Sequence, residues 1–155
     1  MLKRLIFIVT FGLLSSRYAY SSTESHDWHA SPHHVSVLLA STSINGEESA
    51  FTLGFDYEYR VNDFLGLGVV AEYAFDDIDA YTYLFVADLH ITNNFIAQVG
   101  PGMEFHGGDK IEVARLGLLY EFEFSGITLS PQLHYDYHKD HPDAVVAGLA
   151  IGFAF

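Results

Sequence analysis

The sequence predicts an all-β protein, an eight-stranded antiparallel up-and-down transmembrane β-barrel. Three observations predict it. Residues 144–155, AVVAGLAIGFAF, alternate without a break. Val145, Ala147, Leu149, Ile151, Phe153 and Phe155 lie on one face, and Ala144, Val146, Gly148, Ala150, Gly152 and Ala154 on the other. A period of two belongs to a β-strand. Turn signals recur at even spacing through the rest of the chain, with alternating segments between them. Finally, the chain is 50% hydrophobic, yet beyond its first two dozen residues no run is long and apolar enough for a transmembrane helix.

The elements follow in order. Lys3 and Arg4 precede the apolar run of residues 5–14, LIFIVTFGLL. A basic start, a short apolar run and the small-x-small triplet Ala19-Tyr20-Ser21 describe a secretory signal peptide over 1–21. Residues 22–33 form a His-rich flexible N-terminal segment. The barrel occupies 34–155, with strands expected at 34–43, 50–61, 64–75, 80–91, 95–105, 111–124, 127–138 and 144–155. Each can cross a bilayer when tilted, which takes about 9–11 residues. An even strand number suits a closed bacterial barrel. The connections at 62–63, 92–94 and 125–126 read as tight turns. Those at 43–49, 76–79, 106–110 and 139–143 read as longer loops. Short periplasmic turns and longer extracellular loops are the rule in such barrels, so both termini are expected in the periplasm.

The two faces of each strand decide which side is inside. In the second strand Phe51, Leu53, Phe55, Tyr57 and Tyr59 oppose Thr52, Gly54, Asp56, Glu58 and Arg60. In the seventh, Ile127, Leu129, Pro131, Leu133, Tyr135 and Tyr137 oppose Thr128, Ser130, Gln132, His134, Asp136 and His138. The apolar faces are too bulky for an eight-stranded interior. They are therefore assigned to lipid and the polar faces to the lumen. Aromatics cluster at both strand ends, including Phe51, Tyr73, Tyr81, Phe105 and Tyr135 at one and Tyr57, Tyr59, Phe122, Phe124, Phe153 and Phe155 at the other. Two aromatic girdles are expected at the membrane interfaces.

These alternating strands, the loop rhythm and the terminal GFAF resemble the small eight-stranded outer-membrane barrels. That group includes the transmembrane domain of outer-membrane protein A and the opacity-type porins. The resemblance implies a location in the cell outer membrane of a Gram-negative bacterium, among lipid and lipopolysaccharide. It implies that the terminal Phe155 is read by the outer-membrane assembly machinery, and that the protein is a monomer. It carries no functional residues over, because such barrels serve as anchors, adhesins, pores and lipid-modifying enzymes.

Charge narrows the partners. The formal charge of the whole chain is −13. Lys3, Arg4 and Arg17 lie in the signal, leaving 4 basic against 20 acidic residues in the mature chain, a net −16. A nucleic acid partner is excluded, since phosphate calls for a basic surface. The acidic loops would repel lipopolysaccharide without bridging Ca²⁺ or Mg²⁺.

The lumen-facing positions hold Asp56, Glu58, Glu72, Asp88, Glu104, Glu121, Glu123 and Asp136, against Arg60 and Arg115. Inward glycines such as Gly54, Gly66 and Gly117 are expected to leave unfilled, hydrated volume. The pattern supports a porin-like barrel passing ions or very small polar solutes, weakly favouring cations. Asp56, Glu58, Glu72, Asp88, Glu104 and Glu121 would set selectivity, and Arg115 would form a constriction, with a Glu104–Arg115 ion pair if the fifth and sixth strands pair symmetrically about their loop. The alternative is a non-conducting scaffold that presents its His-rich segment. No cofactor is expected beyond a divalent metal. The candidate ligands are His26, His29, His33 and His34, and separately His134, Asp136 and His138, since imidazole binds zinc, copper or nickel. An enzyme is not expected. A lipid-modifying barrel needs a nucleophile and a His at the outer leaflet, whereas His34 and Ser36 lie at the other end.

Overall fold

The computed structural model describes residues 31–155. The expected signal peptide, His26 and His29 lie outside the described residues. The strands are β1 (His33–Ile44), β2 (Glu48–Arg60), β3 (Leu65–Ala74), β4 (Ala80–His90), β5 (Phe95–His106), β6 (Asp109–Tyr120), β7 (Phe122–Phe124), β8 (Ile127–His138) and β9 (Ala144–Ala154). Apart from β6 and β7, each pairs antiparallel with its neighbour in sequence, β6 pairs with β8, and β1 pairs with β9. The sheet closes on itself and leaves no edge. β7 extends the line of β6, so the barrel has eight staves.

The break between β6 and β7 has a local cause. Leu119 pairs with Gln132 and Phe122 with Leu129. Pro131 therefore falls opposite Tyr120 and has no N–H for the ladder. Pro101 interrupts the β4–β5 ladder in the same way, with Leu84↔Gly102 and Ala87↔Val99 paired and the two steps between them absent.

The barrel is inside-out. Phe85 and Leu116 are each 57% exposed on the outer face, while Gln98 is 1% and Arg115 3% exposed in the lumen. A soluble barrel would reverse this distribution. The lumen is not wholly polar. Val70, Leu84, Val86 and Val113 form one inward apolar cluster, and Leu38, Ala40, Val146 and Ala150 another. Aromatic contacts gather at both ends. Tyr73 packs on Phe75 and Tyr81 at one, and His33 on Tyr57, Tyr59 and Phe155 at the other.

The long–short loop rhythm is weaker than the sequence predicts. Four connections, all expected to be long, lie at the end opposite residues 33 and 155. Of these, the β5–β6 connection is only Gly107–Gly108, with φ of 58° and 92°. Two successive positive φ values make a type I′ hairpin, which suits glycine and the twist of the strands. Asn45 and Gly46 turn the β1–β2 hairpin the same way, with φ of 50° and 74° and the Glu47 N–H donating to the Ile44 carbonyl at 3.0 Å. Only residues 75–79 and 139–143 remain as five-residue loops.

Candidate functional site

Every named selectivity residue lies on the inner face, and hydrogen bonds sort most of them into layers. The middle layer is the waist. Arg115, from β6, is fully buried. Its Nε and Nη2 donate to Asp136 at 2.7 Å each, and its Nη1 and Nη2 donate to Glu72 at 2.6 and 2.7 Å. Asp136 is its cross-strand neighbour on β8. Glu72 reaches it from β3, across the lumen. A planar guanidinium satisfies two carboxylates bidentately, so this cluster spans the barrel interior and ties three staves together.

Two layers lie on the side of the chain ends. Gln98 Nε2 donates to Asp88 at 2.9 Å and to Asp56 at 3.2 Å. Below it, Glu58 accepts from Arg60 Nε at 3.1 Å and contacts His90 Nε2 at 2.7 Å. His34 faces inward and contacts Thr128 Oγ1 at 2.8 Å, not Ser36. On the opposite side of the waist, Glu104 accepts from Thr82 Oγ1 and contacts His138 Nε2, both at 3.1 Å.

Three expectations are corrected. Glu104 and Arg115 do not pair. The two-residue Gly107–Gly108 turn sets Glu104 opposite Ile111 and Arg115 opposite Gly100, so the two side chains lie four positions apart along the ladder. The inward glycines do not leave hydrated volume. A Cβ on Gly66 would overlap the Glu58 carboxylate, and one on Gly117 the His134 ring. The glycines are the space those side chains fill. Cavities near the waist and below it measure only about 10 and 20 Å³, close to the roughly 10–15 Å³ one water needs. The proposed metal ligands among the described residues do not converge. Asp136 is held by Arg115, His138 by Glu104, and His134 Nε2 by Gln132 Oε1 at 2.9 Å. His33 points outward to the Tyr57 hydroxyl while its neighbour His34 points into the lumen. Among the described residues no three His, Cys, Asp or Glu side chains are arranged to hold a metal.

Sequence reasoning missed Gln98, which completing the inward-facing column of the fifth strand would have found, and placed Gln132 inward without giving it a role.

The geometry decides the kind of molecule. This is the fold of a small outer-membrane β-barrel. The chain is similar in structure to the N-terminal β-barrel domain of Pseudomonas aeruginosa OprF, at TM-score 0.61 and 17% identity, over 79% of this chain and 97% of that one. It is similar to the Yersinia pestis outer membrane protein Ail in a phospholipid nanodisc, at TM-score 0.54 and 12% identity, over 81% and 99%. It is also similar to a de novo designed transmembrane β-barrel, at TM-score 0.51 and 15% identity, over 77% and 93%. No family model and no curated protein matches the sequence. A designed barrel beside two natural ones underlines that the shape carries no function of its own.

Proposed function

We propose that this protein is a small barrel of the bacterial outer membrane, with both chain ends in the periplasm, whose lumen is sealed at rest. The carrying observation is the Glu72–Arg115–Asp136 cluster. It fills the cross-section with a cation that makes four hydrogen bonds and has no exposed side-chain surface. Opening would uncouple at least one buried carboxylate from Arg115, and an unpaired buried charge costs several kcal/mol. At rest the protein is therefore a membrane-spanning scaffold.

A second reading is porin-like passage of ions, favoured by the acids on both sides of the waist. Asp56, Glu58, Asp88 and Glu121 lie below it and Glu104 above, so a pore opened at Arg115 would prefer cations. Planar-bilayer recording under a salt gradient separates the two. The sealed reading expects no reproducible steps from the unmodified protein and cation-selective steps from Arg115→Ala. Regular cation-selective steps from the unmodified barrel would establish the porin-like reading instead.

A further inference from the structure

The barrel mouth opposite residues 33 and 155 holds a cavity of about 380 Å³. That lies within the range of about 300–1,000 Å³ typical of small-molecule sites. The Glu72–Arg115–Asp136 cluster floors it, so it is blind. Part of its wall is apolar and built for the purpose. Ile78 sits in a loop, yet it is 4% exposed and packs with Ala50, Ala74, Ala80 and Ile44. The loop turns it inward through left-handed backbone at Asp76 and Asp79, with φ of 55° and 39°. Ile111 and Val146 complete the apolar surface.

The remaining lining is polar and holds five carboxylates among threonines and histidines. Glu72 and Asp136 stand at the floor, Glu104 higher, and Glu48 and Asp77 also line the cavity. No Lys or Arg is among the lining residues, whose basic groups are His106, His138 and His141. Arg115 offsets one of the two floor carboxylates, and the cavity remains electronegative. An apolar wall disfavours a hydrated metal ion, and among the described residues no three His, Cys, Asp or Glu side chains are arranged to hold one. Charge and surface together select a cation carried on an apolar body.

We propose that this vestibule binds a small primary amine, with its ammonium near Glu104 and Asp77 and its apolar body against Ile78 and Ile111. Binding does not require the waist to open, so it stands or falls separately from the conductance of the barrel.

The test is calorimetric titration of the protein, refolded in phosphatidylcholine nanodiscs, with phenethylamine, phenethyl alcohol and phenylacetate. The amine should saturate one site per barrel and bind about tenfold or more tighter than the alcohol, the scale of one partly screened charge pair. Phenylacetate should show no saturation. Glu104→Gln combined with Asp77→Asn should weaken amine binding by about tenfold or more. Ile78→Trp, which fills the cavity without changing charge, should abolish it. Asp63→Asn, in a turn at the other end, should leave it unchanged. Equal binding of all three probes would overturn the proposal as lipid partition. Undiminished amine binding in the Glu104/Asp77 and Ile78 variants would overturn it too, as would Mg²⁺ occupying the site against excess amine. If the double variant or Ile78→Trp does not fold, Asp77→Asn alone, at an exposed position, decides. Amine affinity that falls by several-fold supports the site, and unchanged affinity rejects it.

Discussion

Two ion pairs in this protein have similar distances and opposite weight. Lys139 Nζ donates to Glu112 at 2.9 Å, with the side chains 59% and 64% exposed. The Glu112 carboxylate holds the Lys139 ammonium above its ordinary range, yet water screens the pair and it contributes little to stability. Arg115 has no such escape. Removing it leaves Glu72 and Asp136 buried and uncompensated, a loss of about 3–5 kcal/mol for a buried pair broken on one side. Urea unfolding in detergent micelles should show this gap between Arg115→Met and Lys139→Ala. Arg115→Lys should not restore the wild-type midpoint, because a point ammonium cannot serve two carboxylates bidentately. If both removals cost the same small amount, the waist is not a structural element.

At the scale of the hairpin, turn chemistry sets register and register chooses partners. Ser125–Gly126 is a tight turn with φ of 51° and 84°, and the strands leaving it place Arg115 opposite Asp136. That partner could have been read from the sequence by counting outward from the turn. The Glu104–Arg115 expectation failed on the same arithmetic, since counting outward from Gly107–Gly108 sets Glu104 opposite Ile111. Asn45–Gly46 carried an equally direct signal for a tight hairpin. Alternation made the faces legible throughout, because it needs only local spacing. Glu72 was legible as an inward acid but not as a partner of Arg115, because that contact crosses the lumen and depends on how three staves curve. Ser125 is the one non-glycine, non-Asn residue at a first type I′ position here. Ser125→Asn should raise stability by about 0.5–1 kcal/mol, since Asn tolerates left-handed backbone better. A urea midpoint that falls would show that the Ser125 side chain has a role the backbone does not reveal.

Across the whole molecule, the outer surface is an apolar belt between two aromatic rings. Leu53, Leu39 and Leu149 are cross-strand neighbours at mid-strand, at 42%, 49% and 41% exposure. In water they would be a liability, whereas in lipid they are the solvent-matched surface. Leu149→Arg should cost about 2–4 kcal/mol at the midplane, and much less for an arginine near a bilayer interface. Equilibrium folding into phosphatidylcholine vesicles measures it, and a neutral result would count against a lipid-facing belt. The barrel itself should migrate differently in detergent gels before and after boiling.

The His33 N–H donates to the Phe155 carbonyl at 3.3 Å, and the Phe155 N–H returns the bond to the His33 carbonyl at 2.8 Å. The seam between β1 and β9 thus joins residues more than a hundred positions apart, the longest loop the chain must close. Such contacts come late and slow folding, because their entropy is lost before anything is gained. The staves therefore assemble by successive local hairpins, and the seam zips last. Once zipped, it makes the chain a ring in all but its covalent bonds. A short peptide linking 155 back to 33, with a new opening at Gly107–Gly108, would preserve every ladder and cut only one turn. It would move the slow step to a different seam, without altering the finished barrel.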